Sequence, residues 1–209
     1  MYTKVNGIQI HYEMFGDGKP VIIINPNKKK PFLMYFLANK LKNNFLIYKI
    51  DRRCTGKSQK NCTLSYEDSA DDIYEFMKKF NIVKPTIIGV GAGGLVAMRF
   101  VIAHPTLAAK LIICSSYARN DSIKKFKNGY FEKLKTPVND ISEEELKKIK
   151  IPTMIFNGGK RDYVPFEEAE YLNDKISKSK MIIVEKSAHC SYLINNRDFY
   201  ETLINFINE

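Results

Sequence analysis

The run Val21-Ile22-Ile23-Ile24 constrains the fold more than any other stretch of this chain. Four consecutive branched aliphatic side chains leave neither face of a strand polar, so the strand must be covered on both faces. Strands of that kind belong to parallel sheets, whose crossover connections lay helices on either side. Phe45–Ile50, Thr86-Ile87-Ile88, Leu111–Cys114, Thr153–Phe156 and Met181–Val184 repeat the demand. Between them lie segments with helical spacing. Phe32, Phe36, Leu37 and Leu41 form one, and Ala70, Ile73, Phe76, Met77 and Phe80 line another. The second follows Ser65-Tyr66-Glu67-Asp68, which predicts a capping box. A helix near Glu167–Lys175 separates the last two strands, and Phe199, Leu203, Phe206 and Ile207 mark a closing helix. At the start, Lys4-Val5 and Ile8–Tyr12 flank Asn6-Gly7, a type I′ hairpin signal. The pattern predicts an α/β class with a mostly parallel twisted sheet and helices on both faces.

At 209 residues the chain has room for one domain, read as 1–209. The stretch between Ser116 and Ile151 has no core strand and reads as an insertion over one end of the sheet, with Ser142-x-x-Glu145 capping a short helix inside it. The net charge of +10 suits an acidic partner, but the lysines are scattered and no RNA-binding or zinc-finger pattern accompanies them, so no nucleic-acid partner is expected. The Lys28-Lys29-Lys30 run reads as a solvated charge cluster. The longest apolar run, Phe32–Ala38, is far short of the ~20 residues that span a bilayer, and Met1–Val5 carries no apolar signal region. A cytoplasmic location with no membrane partner is the expectation. Cys54, Cys62, Cys114 and Cys190 form no C-x-x-C, so neither a metal nor a cofactor is expected.

The chemistry is concentrated in Thr86–Ala97, where a strand runs through Gly89-Val90-Gly91-Ala92-Gly93-Gly94 into a helix. Strand, sharp glycine-rich turn and helix are the context of a nucleophile elbow, G-x-S-x-G, whose middle residue takes a strained positive-φ conformation. The outer positions here are Gly89 and Gly93, and the middle one is Gly91. The same turn also fits G-x-G-x-x-G. It follows the third buried strand, however, and no acidic residue ends the strand some twenty residues later, so a dinucleotide is not expected.

The chain resembles the α/β-hydrolase superfamily over nearly its whole length. Asp51-Arg52-Arg53-Cys54-Thr55-Gly56-Lys57-Ser58 is similar to the family's D-x-R-G-x-G-x-S loop, with Cys54 in place of a glycine. Gly159–Pro165 is similar to G-x-x-D-x-V-P and places the acid at Asp162; Ser187-Ala188-His189 is similar to the small-residue-then-His motif and makes His189 the base. The order elbow, acid, base is the family's order. The resemblance implies an α/β-hydrolase fold and identifies the stretch of about 117–151 as a short lid. It also makes the N–H groups of Ala92 and Asn27 the oxyanion donors. Two departures stand out. Ile24-Asn25-Pro26-Asn27 replaces the family's His-Gly, and Pro26, with its fixed φ, predicts a different loop path. Gly91 leaves the nucleophile position without a nucleophile.

A His held by a carboxylate is a competent base. His189 and Asp162 are therefore expected to form a dyad acting on a small ester, amide or lactone. Cys190, Ser115 and Ser116 are candidates for a substitute nucleophile, while their bland reading is polar residues at a strand end. Two alternatives stand beside the enzyme. One is an inactive domain that binds a small molecule in the pocket, or a protein partner or second copy through the lid. The glycine-rich elbow resembles that of the non-enzymatic N-myc downstream-regulated proteins, a precedent for it. The other is a serine hydrolase carrying an engineered Ser-to-Gly change. His11 and His104 are given no role, and Arg52 and Arg53 are expected to brace the loop beside the sheet.

Overall fold

The computed structural model describes residues 1–26, 31–119 and 139–209. Eight strands are present: β1 Tyr2–Val5, β2 Ile8–Phe15, β3 Lys19–Ile24, β4 Phe45–Ile50, β5 Thr86–Val90, β6 Lys110–Cys114, β7 Thr153–Asn157 and β8 Ser179–Ile183. They form one sheet in the order β1-β2-β4-β3-β5-β6-β7-β8. β1, β2 and β4 pair antiparallel; from β4 through β8 every pairing is parallel. Asn6 and Gly7 both have positive φ (47° and 76°), as the type I′ reading requires.

The helices are α1 Pro31–Leu41, α2 Tyr66–Lys79, α3 Ala92–Ala103, α4 Glu143–Leu146, α5 Phe166–Lys175 and α6 Arg197–Asn208. The isoleucine run explains itself in the packing. Ile22 and Ile24 point into a core with α2, α3 and α5, while Val21 and Ile23 point into a second core with α1 and α6. The alternation of strand side chains thus feeds two cores from one run, and all four residues are fully buried.

Two expectations need correction, and one link was not foreseen. β2 runs three residues beyond the predicted Tyr12, because Glu13 lies opposite Lys49 and forms an ion pair with it across the strands. The Ser65 box is only half made. Ser65 Oγ accepts from Asp68 N at 3.0 Å, but the Asp68 carboxylate accepts from Arg53 Nη1 instead of reaching back. Ser142 and Glu145 complete theirs in both directions. Finally, Cys54 and Cys62 are joined as a disulfide, with Cα atoms 5.9 Å apart, which their spacing did not announce.

Of the stretch read as a lid, residues 120–138 lie outside the described residues, as do Lys28, Lys29 and Lys30. Its flanks meet where Ile141 N donates to Ala118 O at 2.9 Å, and Leu146 and Ile149 are buried in the α2–α3 core. Among the described residues, no helix is long and apolar enough to cross a membrane.

Candidate active site

The parallel register brings the carboxyl ends of the central strands together. Gly89 on β5 lies opposite Ile24 on β3 and Ile113 on β6, and Cys114 lies opposite Val90 and Phe156. Crevices beyond such strand ends are where open α/β sheets place their ligands. Past β5 the chain turns through Gly91, whose φ of 52° and ψ of −122° only a glycine takes without cost, and α3 begins at Ala92. Gly91 N donates to Cys114 O and Gly94 N to Gly91 O, both at 2.9 Å. The elbow therefore keeps its shape without a side chain at its tip. The outer glycine Gly93 is needed for close approach: a Cβ there would run into Ile24 O.

Asp162 and His189 are brought together as predicted. Asp162 follows a single 3-10 turn after β7, and His189 sits in the loop after β8. His189 Nδ1 is 2.6 Å from Asp162 Oδ1. The other contacts of the carboxylate lock it in place. Oδ1 also accepts from Val164 N at 3.0 Å, while Oδ2 accepts from Gly158 N at 2.9 Å and Ser115 Oγ at 2.5 Å. Burial alone would raise this carboxyl, but the bonds from His189, Ser115 and Val164 outweigh it and hold its pKa below the ordinary value. For His189, burial disfavours the imidazolium. The Cys190 sulfur and the Asp162 carboxylate more than offset that, and its pKa is pushed up to about 10. The other ring nitrogen faces the elbow: a Cβ built on Gly91 would lie 3.9 Å from His189 Nε2.

Among the substitute nucleophiles, Ser115 fails on position. Ser115 stands behind Asp162, donating to it, and takes a second bond of 2.8 Å from Tyr192 Oη. Because a carboxylate only accepts, the Ser115 proton goes to Asp162 and Tyr192 is the donor in the second bond. Ser116 is buried against Gly94, and Cys190 is buried in the α1–α6 core beside Cys114. Ser115 and Tyr192 are the site residues that sequence reading missed as supports. The available signal was that Ser115 ends the strand next to the elbow strand.

Of the two expected oxyanion donors, Ala92 heads α3 beside Gly91, whereas Asn27 lies outside the described residues. Its neighbour Asn25 is anchored: Asn25 Nδ2 donates to Asp51 Oδ1 at 2.5 Å and Arg52 Nε donates to Asn25 O at 3.1 Å. Arg53 forks onto Asp72, with bonds of 2.7 Å from both Nε and Nη2. Both arginines thus brace the loop, as expected. His104 stacks on Tyr74 at 4.3 Å between ring centroids, away from this chemistry.

With the sheet order, the elbow and the His189–Asp162 pair in place, this is the α/β-hydrolase fold. No protein-family model matches the chain. Several of its curated relatives are named as hydrolases. It is 22% identical to the AB hydrolase superfamily protein YisY of Bacillus subtilis, over 96% of both chains. It is 33% identical to the abhydrolase domain-containing protein C22H12.03 of Schizosaccharomyces pombe, over 42% of this chain and about a third (33%) of that one. Among solved structures, the esterase EaEST of Exiguobacterium antarcticum superposes with a TM-score of 0.81 at 23% identity, covering 98% of this chain and 97% of that one. Est816, described as an N-acyl homoserine lactone degrading enzyme, superposes with a TM-score of 0.81 at 19% identity, covering 99% and 100%.

Proposed function

We propose that this protein hydrolyses small esters or lactones, with water rather than a side chain as the nucleophile. The observation that carries the reading is the placement of His189: Nδ1 is held by Asp162 at 2.6 Å and Nε2 is turned toward the space over Gly91. A water there would lose its proton to neutral His189 and attack the carbonyl, and on collapse the bond to the leaving alkoxide would break as that alkoxide takes the proton from His189. Ala92 N–H would take the developing oxyanion. No acyl-enzyme forms, because position 91 has nothing to acylate. Similarity to an esterase and to a lactone-degrading enzyme supports the substrate class.

The test is a panel of short-chain acyl esters and lactones, assayed with the unmodified protein and His189→Ala. Loss of a positioned base is expected to lower kcat/KM by roughly a hundredfold or more, with no acyl adduct in the intact mass during turnover. Equal activity of the two proteins, or an unmodified protein inert on a panel that a serine hydrolase cleaves, overturns the reading. Gly91 itself favours a second reading, a domain that binds small molecules in the pocket without turnover. Inertness of the unmodified protein together with activity of Gly91→Ser would select it.

A further inference from the structure

His189 and Tyr192 stand on one loop, and both reach Asp162, from opposite sides. His189 Nδ1 lies 2.6 Å from Oδ1. Tyr192 Oη donates to Ser115 Oγ at 2.8 Å, and Ser115 Oγ donates to Oδ2 at 2.5 Å. Cys190, between them, makes this possible. Its φ of 57° lies in the left-handed region, which a side chain adopts at a cost, and the 3-10 turn Ser191–Leu193 starts from it. The loop thereby sends His189 toward the elbow and Tyr192 into the core with α1 and α6. There the Tyr192 ring is buried, with centroids 5.1 Å from Phe199 and 6.3 Å from Phe156. A phenylalanine would serve that packing equally well. The hydroxyl has to be desolvated, and its short bond goes to Ser115, while Phe156 O is 3.4 Å away.

We propose that Tyr192 is a positioning residue for the His189–Asp162 pair: acting through Ser115, it draws charge toward the Oδ2 side of the carboxylate and keeps His189 less basic than an unsupported Asp162 would make it. The physical reason is a chain of donors. A hydroxyl that accepts a hydrogen bond becomes a better donor, so the phenol strengthens the Ser115–Asp162 bond. The carboxylate charge is then shared with a donor other than the imidazolium, and the proton on His189 is held less tightly. Burial holds the phenol's own pKa well above its ordinary value, so Tyr192 stays a donor while His189 titrates.

The other titratable groups around this chain of bonds are Cys114, Cys190 and Tyr200 from the same core, and Tyr163, whose ring centroid lies 5.3 Å from that of His189. Cys190 bears on His189 directly, and Cys114 bears on Tyr192. Among the described residues, Oδ2 accepts from Gly158 N and Ser115 Oγ. The Tyr192 phenol is thus the group that reaches the rear oxygen by way of a side chain. Its effect on turnover rests on the hydrolytic reading above; its effect on the protonation of His189 does not.

The experiment titrates the His189 Cε1 proton by NMR in the unmodified protein, Tyr192→Phe, Ser115→Ala and the variant carrying both, with folding checked by circular dichroism. Tyr192→Phe keeps the ring and removes only the hydroxyl. It is expected to move the His189 midpoint to higher pH. Ser115→Ala is expected to move it the same way, and adding Tyr192→Phe to Ser115→Ala to move it no further. An unmoved or lowered midpoint in Tyr192→Phe, or shifts that add in the double variant, overturns the proposal. The ester panel gives a second readout. Only neutral His189 is a base, so kcat of Tyr192→Phe is expected to fall roughly threefold at pH 8, with KM unchanged, and to recover above the His189 midpoint. A deficit of the same size at every pH marks a structural role and overturns the proposal. Inertness of the unmodified protein overturns the hydrolytic reading alone, and the titration still decides the role of Tyr192.

Discussion

Two histidine–aspartate pairs in this molecule are built alike and set in different surroundings. His11 Nδ1 lies 2.9 Å from Asp51 Oδ2, and His189 Nδ1 lies 2.6 Å from Asp162 Oδ1. His11 sits on β2, with its ring edge-on to Tyr2. Its Asp51 is shared with Asn25 Nδ2 and with Lys57 N, so the carboxylate ties three segments together. His189 sits on a loop, its carboxylate is fixed from behind by Ser115, and its second nitrogen looks over a glycine. The pairing alone therefore says little about catalysis. In the proposed function it is the second ring nitrogen of His189, facing the elbow, that would act as the base.

Restoring a nucleophile opposite His189 should have the largest effect. Gly91→Ser is expected to raise ester turnover by roughly a thousandfold or more, given that removing such a serine from an efficient hydrolase costs about a millionfold. An acyl adduct on Ser-bearing protein should appear in the intact mass, and its absence would show that the pair is not aimed at position 91. Exchanging each histidine for alanine is the direct comparison. His189→Ala is expected to abolish most activity. His11→Ala should change activity only a few-fold and lower unfolding stability by about 1–3 kcal/mol, because Asp51 loses a buried partner. Urea titration and the ester assay read both quantities.

pH sharpens the contrast further. With its pKa near 10, His189 is imidazolium at neutral pH, and only the neutral form is a base. Turnover is therefore expected to rise about tenfold per pH unit from 7 toward 10 and then level off. The stability sign is opposite. A raised folded-state pKa gives a contribution fully present below about 6.5 that is lost as pH rises through about 10. Denaturation midpoints of the unmodified protein should fall over that window, and those of His189→Gln should fall less. The smallest effect is reserved for the group behind the acid. Ser115→Ala removes one donor from Asp162 and is expected to raise that carboxyl's pKa, read from its carbon-13 shift.

Much of this was legible in the residues. The strands came from unbroken aliphatic runs, and the elbow from its glycines. Asp162 and His189 came from resemblance to the α/β-hydrolase family's motifs. What escaped depended on contacts between distant segments. The far end of β2 looked polar until Lys49 paired with Glu13, and Asp68 left its capping role because Arg53 lies against it. Ser115 was weighed as a nucleophile because a sequence shows that a hydroxyl ends a strand but not which way it points. Its φ of 44° turns it behind the acid, not in front of the base.

The Cys54–Cys62 link closes a ring that contains Lys57 and Lys60. A protease that cuts after lysine opens the peptide chain inside that ring without separating its ends. Digested without reductant, the Cys54 and Cys62 peptides of an oxidised molecule stay joined, and those of a reduced one separate. The loop is thus a written record of the surroundings in which the chain was made, since thiols stay open in reducing compartments and close in oxidising ones.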